Sequence, residues 1–213
     1  AFRNRILAMR NTAAGFSVYL RFRENTVPYM NSNFYGYRST TPWGCENYTD
    51  ATWPKGYLYM HMSPEPGLQY ARSGVLISYM SIDELAPWFG TAIGHRGEDY
   101  EAFKYQKAQQ LLNVVEQDFP GLRQQLDAFY TSTPLTYQDY TGTEGGSLYG
   151  IARSVQAGAG GHVSHKTRIP NLLLTGQNIN SHGILGVLIG TLITCSELLG
   201  AQVIHRQIEQ ANQ

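Results

Sequence analysis

Apolar and polar residues alternate along GFSVYLRF at 15–22, and a period of two predicts a half-buried strand. GYLYMHMS at 56–63 and GVLISYMS at 74–81 read the same way. Pro42, Gly44, Pro54, Pro64, Pro66 and Gly67 punctuate the chain between strand-like runs as turns do, so a sheet of meandering strands is expected. Residues 3–9 read as the tail of a helix. From 98 to 119 the period becomes helical: Tyr100, Phe103, Lys104, Lys107, Leu111, Leu112, Val114 and Val115 recur until Pro120 and Gly121 stop the run. A short second helix is expected over 122–126. AFYTSTPLTYQDYTGTEGGSLYG, at 128–150, reads as an extended stretch leading into a loop. AGAGG at 157–161 reads as a linker, followed by a strand over 172–175 and a helix from 183 to 199 that continues past Gly200 to 208. No internal repeat is present.

The densest signal lies in NLLLTGQNINSHGILGVLIGTL at 171–192. Leu172, Leu173 and Leu174 form a continuous apolar run, the pattern of a strand covered on both faces. Gly176 ends that run, and Gly183, Gly186 and Gly190 line the start of the next helix. Glycine inside a helix costs about 1 kcal/mol relative to alanine. These positions therefore imply close approach of another backbone or of a ligand. A helix start offers unpaired N–H groups and the positive end of the dipole, which suits a phosphate, a carboxylate or a carbonyl edge. Close helix–strand packing without a ligand accounts for the same glycines.

Composition narrows the partners. Lys plus Arg and Asp plus Glu balance at 16 each, so no global field favours nucleic acid, and none is expected as a partner. With 15% charged residues, 15 Tyr, 8 Phe and 3 Trp, the chain carries broad aromatic surface suited to a core, a pocket or an apolar ligand. Cys45 and Cys195 form no metal or disulfide spacing and read as reduced thiols of a cytoplasmic protein. The opening AFRNRILAMRNTAAGFSVYL is interrupted by Arg10 and Asn11, so it does not read as a secretory signal. It starts in mid-pattern without Met, which raises the expectation of a piece of a longer protein.

Other chemistry is thin. Of His61, His95, His162, His165, His182 and His205, only HVSH at 162–165 has close spacing; no carboxylate cluster accompanies it, and surface histidines are the default. No metal site is expected. GGSLY at 145–149 lacks the last glycine of a nucleophile elbow. The helix from 184 to 199 contains Thr191, Thr194, Ser196 and Glu197 and falls short of the ~20 apolar residues of a membrane span. A buried core helix is expected instead. Tyr57, Tyr59, Tyr79, Tyr137 and Tyr149 are candidates to line a channel for an extended apolar substrate, with ordinary core packing as the competing reading of each.

NLLLTGQNINSHGILGVLIGTLITCSELLG resembles the C-terminal FAD-binding segment of the phytoene desaturase, carotenoid isomerase and retinol saturase family of amine oxidase-like flavoenzymes. STPLTYQDYTGTEGGSLYGI and YLYMHMSPEPGLQYARSGVLISYMS resemble further segments of that family, in the same order. The TGQNINSHGILGV form looks nearer to the retinol saturase-like members. The resemblance implies an α+β fold. In it, a mixed or antiparallel substrate-domain sheet with helices occupies 1–160, and a C-terminal strand–helix unit at 161–213 completes a Rossmann-like FAD domain. It implies FAD as cofactor, held by Gly176 and Gln177 and by the backbone of Gly183, Ile184, Leu185, Gly186 and Val187, where the helix dipole favours a reduced flavin. Gln177 departs from the acidic residue found there in many relatives. No catalytic residue is assigned, His182 being the nearest titratable group and a candidate proton donor. The family opens on a GxGxxG turn, which this chain lacks, since GAGGHV at 158–163 has neither the preceding strand nor the third glycine. The chain thus reads as the C-terminal portion of an oxidoreductase acting on double bonds of an apolar isoprenoid, carotenoid or retinoid. Its implied partners are that substrate, the missing N-terminal FAD-binding half and, at the periphery, a membrane. The fragment by itself is expected to be inactive and not to retain FAD. The competing reading is a non-catalytic apolar-ligand or protein-binding module.

Overall fold

The computed structural model describes residues 2–62, 65, 67–153 and 162–212, so the linker expected at 157–161 lies outside the described residues. In chain order the elements are α1 (Phe2–Leu7), β1 (Gly15–Phe22), β2 (Phe34–Tyr37), β3 (Gly56–Met62), β4 (Ser73–Tyr79), α2 (Glu98–Asp118), β5 (Leu126–Ser132), α3 (Pro134–Thr141), α4 (Gly183–Leu199) and α5 (Ala201–Ala211). Short 3-10 helices cover Ile82–Trp88, Leu122–Gln125 and Glu144–Gly146. The chain divides into two compact units, Ala13–Leu148 and the pair Ala1–Thr12 with Tyr149–Gln213.

The Ala13–Leu148 unit is α+β, built on a five-stranded antiparallel sheet in the order β2-β3-β4-β1-β5. Side chains alternate across a strand, so the register sorts them into two faces. Phe16, Val18, Leu20 and Phe22 of β1 share one face with Leu76 of β4 and with Tyr57 and Tyr59 of β3. All are buried, and Ala108, Leu111, Leu112 and Val115 of α2 belong to the same core. Each such large apolar side chain contributes about 1.5–3 kcal/mol on burial. α2 starts after Gly97 with Glu98, Asp99 and Glu101 in its first turn, where the dipole favours acids. Trp88 Nε1 donates to Asp99 Oδ2 at 3.1 Å, and Trp88 packs on Tyr100 in a second small cluster with Leu85 and Leu135.

One buried charge needs its partners. Lys107, on the buried side of α2, places Nζ 2.5 Å from Glu84 Oε2 and 4.7 Å from the Trp53 ring centroid. Tyr48 donates to the other Glu84 oxygen while accepting the Ser81 N–H at 2.6 Å. Burial, with the Glu84 bond, pushes the Tyr48 phenol above its ordinary range. The group is satisfied as a unit, as a buried lysine requires.

Several expectations change. The stretch at 128–150 is extended only through β5, and α3 follows. Thr133 and Thr136 form a capping box: the Thr133 hydroxyl accepts the Thr136 N–H at 3.4 Å, the Thr136 hydroxyl accepts the Thr133 N–H at 3.2 Å, and Pro134 fills the first turn. For Tyr57 and Tyr59 the core-packing reading holds, because their strand parity points them at α2. The Tyr57 hydroxyl donates to Asp118 at 2.5 Å. His61 is not a surface histidine: its Nδ1 accepts the Met30 N–H at 2.9 Å, and its Nε2 lies 2.8 Å from the Tyr59 hydroxyl.

In the other unit, residues 10–12 pair with 150–152 through the Asn11–Ile151 bridge, Thr12 N–H to Gly150 O at 2.8 Å and Ala152 N–H to Arg10 O at 2.8 Å. The strand expected at 172–175 is not formed. Leu173 makes one bridge, to Lys166, and Leu172 is exposed, because the described residues of this unit hold no named strand for that run to join. The helix expected to run past Gly200 breaks there, and α5 starts anew. α4 is not a buried core helix either. Only Gly190 is buried, while Ile184, Leu185, Leu188, Ile189, Ile193, Leu198 and Leu199 are exposed. Among the described residues no helix is long and apolar enough to cross a membrane.

Candidate functional site: a glycine-lined helix start and an open apolar sheet face

The segment leading to α4 is fixed from both ends. Leu174 N–H donates to His165 O at 2.8 Å, and the Thr194 hydroxyl of α4 donates to Leu174 O at 3.1 Å. Glu197, one turn further along α4, lies 2.5 Å from Lys166 Nζ and 3.0 Å from His165 Nε2. The Lys166 bond, followed by the His165 bond, lowers the Glu197 carboxyl below the usual range. Gly176 then opens a turn closed by Ile179 N–H to Gly176 O at 3.0 Å. Asn178 ties this turn to the 150–153 segment: its Oδ1 accepts the Ile151 N–H at 2.8 Å, and its carbonyl accepts from Arg153 at 2.9 Å.

The glycines divide into two kinds. A Cβ built on Gly186 would lie 2.7 Å from Ser181 Cβ and 2.8 Å from its carbonyl carbon, and one on Gly190 would meet Asn180 at 3.3 Å. Gly186 lets the Ser181 backbone, and Gly190 the Asn180 side chain, lie on the helix. Gly183, with φ of 75°, and Gly176, with φ of 112°, have nothing within 4 Å of a built Cβ. Their backbone is open to approach.

His182 is the N-cap of α4 in extended geometry, and its side chain makes no capping bond. Its ring lies instead 4.7 Å from that of Tyr149, centroid to centroid. The first-turn N–H groups after it thus have no side-chain acceptor from the cap, and the dipole adds positive potential there. Ile184 and Leu185, 92% and 69% exposed, flank this opening, with Gly186 and Val187 completing the first turn. Asn180 carries a buried Nδ2 with no hydrogen-bond partner among the described residues. Such a donor costs about 1–3 kcal/mol while unpaired. Open backbone at Gly176 and Gly183 and an uncapped helix start fit an electron-rich, planar-edged group such as a flavin. Gln177, half-buried, sits in the turn beside Gly150. The sequence reading did not single out Asn178, Asn180 or Ser181; the polar run NINS directly after the turn was the available signal.

The Ala13–Leu148 unit has a second feature, the sheet face opposite α2. The register sets Met60, Val75, Tyr19 and Tyr130 side by side across four strands, with Tyr35, Leu58 and Ile77 in the next row. Tyr19, Tyr35 and Tyr130 are exposed, and Leu58, Met60, Val75 and Ile77 are half-buried. At about 4.8 Å per strand the row from Met60 to Tyr130 spans roughly 14 Å. Tyr79 shares this face, and Tyr137 is held at its border by a 2.6 Å bond to Ser17. Tyr19, Tyr35 and Tyr130 were missed in the sequence because only the pairing register reveals which tyrosines stand on the uncovered side. Among the described residues, no three His, Cys, Asp or Glu gather into a metal site.

The chain is similar to proteins named all-trans-retinol 13,14-reductase. It is 33% identical to the human protein over 115 residues, which cover 53% of this chain and 19% of that protein. The rat protein is 34% identical over 116 residues, again 53% of this chain and 19% of the relative. The zebrafish (Danio rerio) protein is 25% identical over 159 residues, covering 73% of this chain and 24% of the relative. The chain thus matches about a fifth to a quarter of the length of these curated relatives. No family model matches it.

Proposed function

We propose that the chain is the C-terminal portion of a flavin-dependent oxidoreductase of the retinol saturase family, acting on a double bond of a retinoid-like polyene. The observation that carries this reading is the similarity to proteins named all-trans-retinol 13,14-reductase. The two features above support it. The FAD-binding half that the chain lacks belongs to the remainder of the protein, and the strand-like run at 172–175 joins its Rossmann-like sheet there. The apolar face of α4 is then covered by that half, which explains a helix with seven exposed large apolar side chains.

Gly176, Gln177 and the first-turn backbone of α4 from Gly183 to Val187 would hold the FAD. When bound, the flavin supplies hydride transfer to or from a carbon–carbon double bond. The residues of this chain orient and exclude. Asn178 pins the turn to Ile151, Gly186 and Gly190 seat that turn on α4, and the helix dipole favours negative charge at its start. His182, packed beside the Tyr149 ring, would be the candidate to give or take a proton at its imidazole. The open sheet face supplies apolar and tyrosine surface for the polyene, excluding water along its length.

The test uses the protein extended upstream through its natural start. It is expected to show visible flavin absorbance and, with a reductant, to convert all-trans-retinol to a product lacking one double bond. This chain by itself is expected to be colourless. A colourless extended protein sinks the flavin assignment. A coloured protein inert toward all-trans-retinol and other polyenes sinks the substrate class.

A further inference from the structure

A sheet has two edges, and natural proteins protect them. Short strands, charges, prolines and bulges are the usual devices, since an edge presents a row of unpaired N–H and C=O groups. Here β2 is protected by its length of four residues. β5 is protected only at its start, where the register shifts opposite Arg21 and Phe22 and Asp127 pairs with Arg21 at 2.6 Å; Ala128–Ser132 carries no proline, no lysine and no charge.

The register shows which groups are free. Phe22 N–H donates to Arg72 O, on the β4 side of β1, so the residues of β1 in step with Phe22 turn their main chain to β4. Ser17, Tyr19 and Arg21 therefore turn theirs to β5, opposite Ser132, Tyr130 and Ala128. It follows that the N–H and C=O of Phe129 and Thr131 point away from the sheet.

A groove of about 680 Å³ runs along this edge, between β5 and α2. Ala102, Tyr105 and Phe129 form its apolar wall, with Tyr105 stacked on Phe129 at 5.9 Å. Lys104 and Glu101, paired at 2.8 Å, stand at its rim. Tyr105 and Tyr130 are each about 60% exposed, on the two sides of the edge. An aligned row of main-chain donors and acceptors beside an aromatic slot recognises an extended polypeptide, with side chains at alternate positions entering the slot.

We propose that β5 receives an added strand from the polypeptide outside this chain, with apolar side chains at alternate positions seated against Ala102, Tyr105 and Phe129. This rests on the reading of the chain as part of a longer protein, and the curated relatives carry about four-fifths of their length outside the matched stretch. The strand therefore comes from the same protein, and sheet addition is one of the ways the two portions are joined.

Amide hydrogen exchange on this chain and on the upstream-extended protein tests it. In this chain the Phe129 and Thr131 amides exchange quickly; in the extended protein they slow by at least about tenfold. Thr131→Pro removes an outward N–H without touching the β1 ladder. It leaves the melting of this chain unchanged, yet weakens the extended protein and restores fast exchange at Phe129. A second variant, Thr131→Lys, adds an edge charge and gives the same pattern. Equal exchange at Phe129 in both proteins overturns the proposal. So does protection in this chain by itself, accompanied by a dimer on size exclusion, which assigns the edge to a second copy. Flavin colour is read separately. A colourless extended protein with protected β5 amides refutes the cofactor reading and leaves the strand addition standing; a coloured one with unprotected amides refutes the strand addition alone.

Discussion

Gly186→Ala separates packing from ligand approach at the start of α4. The added methyl would lie 2.7 Å from Ser181 Cβ, 2.8 Å from its carbonyl carbon and 2.9 Å from its carbonyl oxygen, all well inside van der Waals contact. Backbone atoms cannot swing aside as a flexible side chain can, so the 180–181 segment must lift. Overpacking of this kind costs about 1–3 kcal/mol. Alanine returns about 1 kcal/mol in helix propensity. The net is a local destabilisation of roughly 0–2 kcal/mol, which raises the open population of the turn by up to about 30-fold. The assay is hydrogen exchange at the buried Ile179, whose amide bonds to Gly176 O at 3.0 Å. Its exchange should accelerate while core amides of β1 and α2 do not change. Gly183→Ala meets no neighbour but is strained at φ 75°, so it should disturb the helix start rather than the 180–181 contact. Unchanged exchange at Ile179 in Gly186→Ala would refute the account of why this glycine is needed. In the extended protein the same variant should lower flavin occupancy, since the turn and the first helical amides move together.

Leu111→Ala empties a fully buried site between α2 and the sheet, and should cost about 2–5 kcal/mol by denaturant unfolding. Glu84→Gln removes the nearer charge partner of Lys107, which has a side chain only 7% exposed, and leaves it Asp50 at 3.6 Å; it should destabilise by up to about 3 kcal/mol, and Lys107→Met, which takes the charge away, should cost less. Burial holds the His61 imidazole below its ordinary value of 6.5, and its Nδ1 is already occupied in accepting the Met30 N–H. The unfolded chain then binds the proton first, so stability is full above about pH 6.5 and falls as the pH drops towards the folded value. Melting across that window should show the loss, and His61→Gln should flatten it; a flat profile in the parent protein contradicts the assignment.

Alternation and helical period fixed much of the secondary structure, because both are local. β1 falls on the range read from the pattern, α4 starts where the pattern started it but ends at Leu199, and β3, β4 and α2 agree within a residue or two. The capping of α3 by Thr133 and Thr136 was local too, yet its Thr- and Tyr-rich composition argued for extension. The glycine turn was visible as a costly clustering, and composition pointed to apolar ligands. Only the tertiary structure decided which glycines face the chain and which face outward, since that depends on where residues 180–181 lie. It also decided which tyrosines are core and which are surface. Tyr57 and Tyr59 share one strand parity, Tyr19 and Tyr130 the opposite one, and parity acquires a meaning only once α2 covers one side of the sheet. The apolar run at 172–174 and the helix α4 show the remaining limit: a pattern states that a surface is to be buried, while the partner that buries it is a property of the assembled protein.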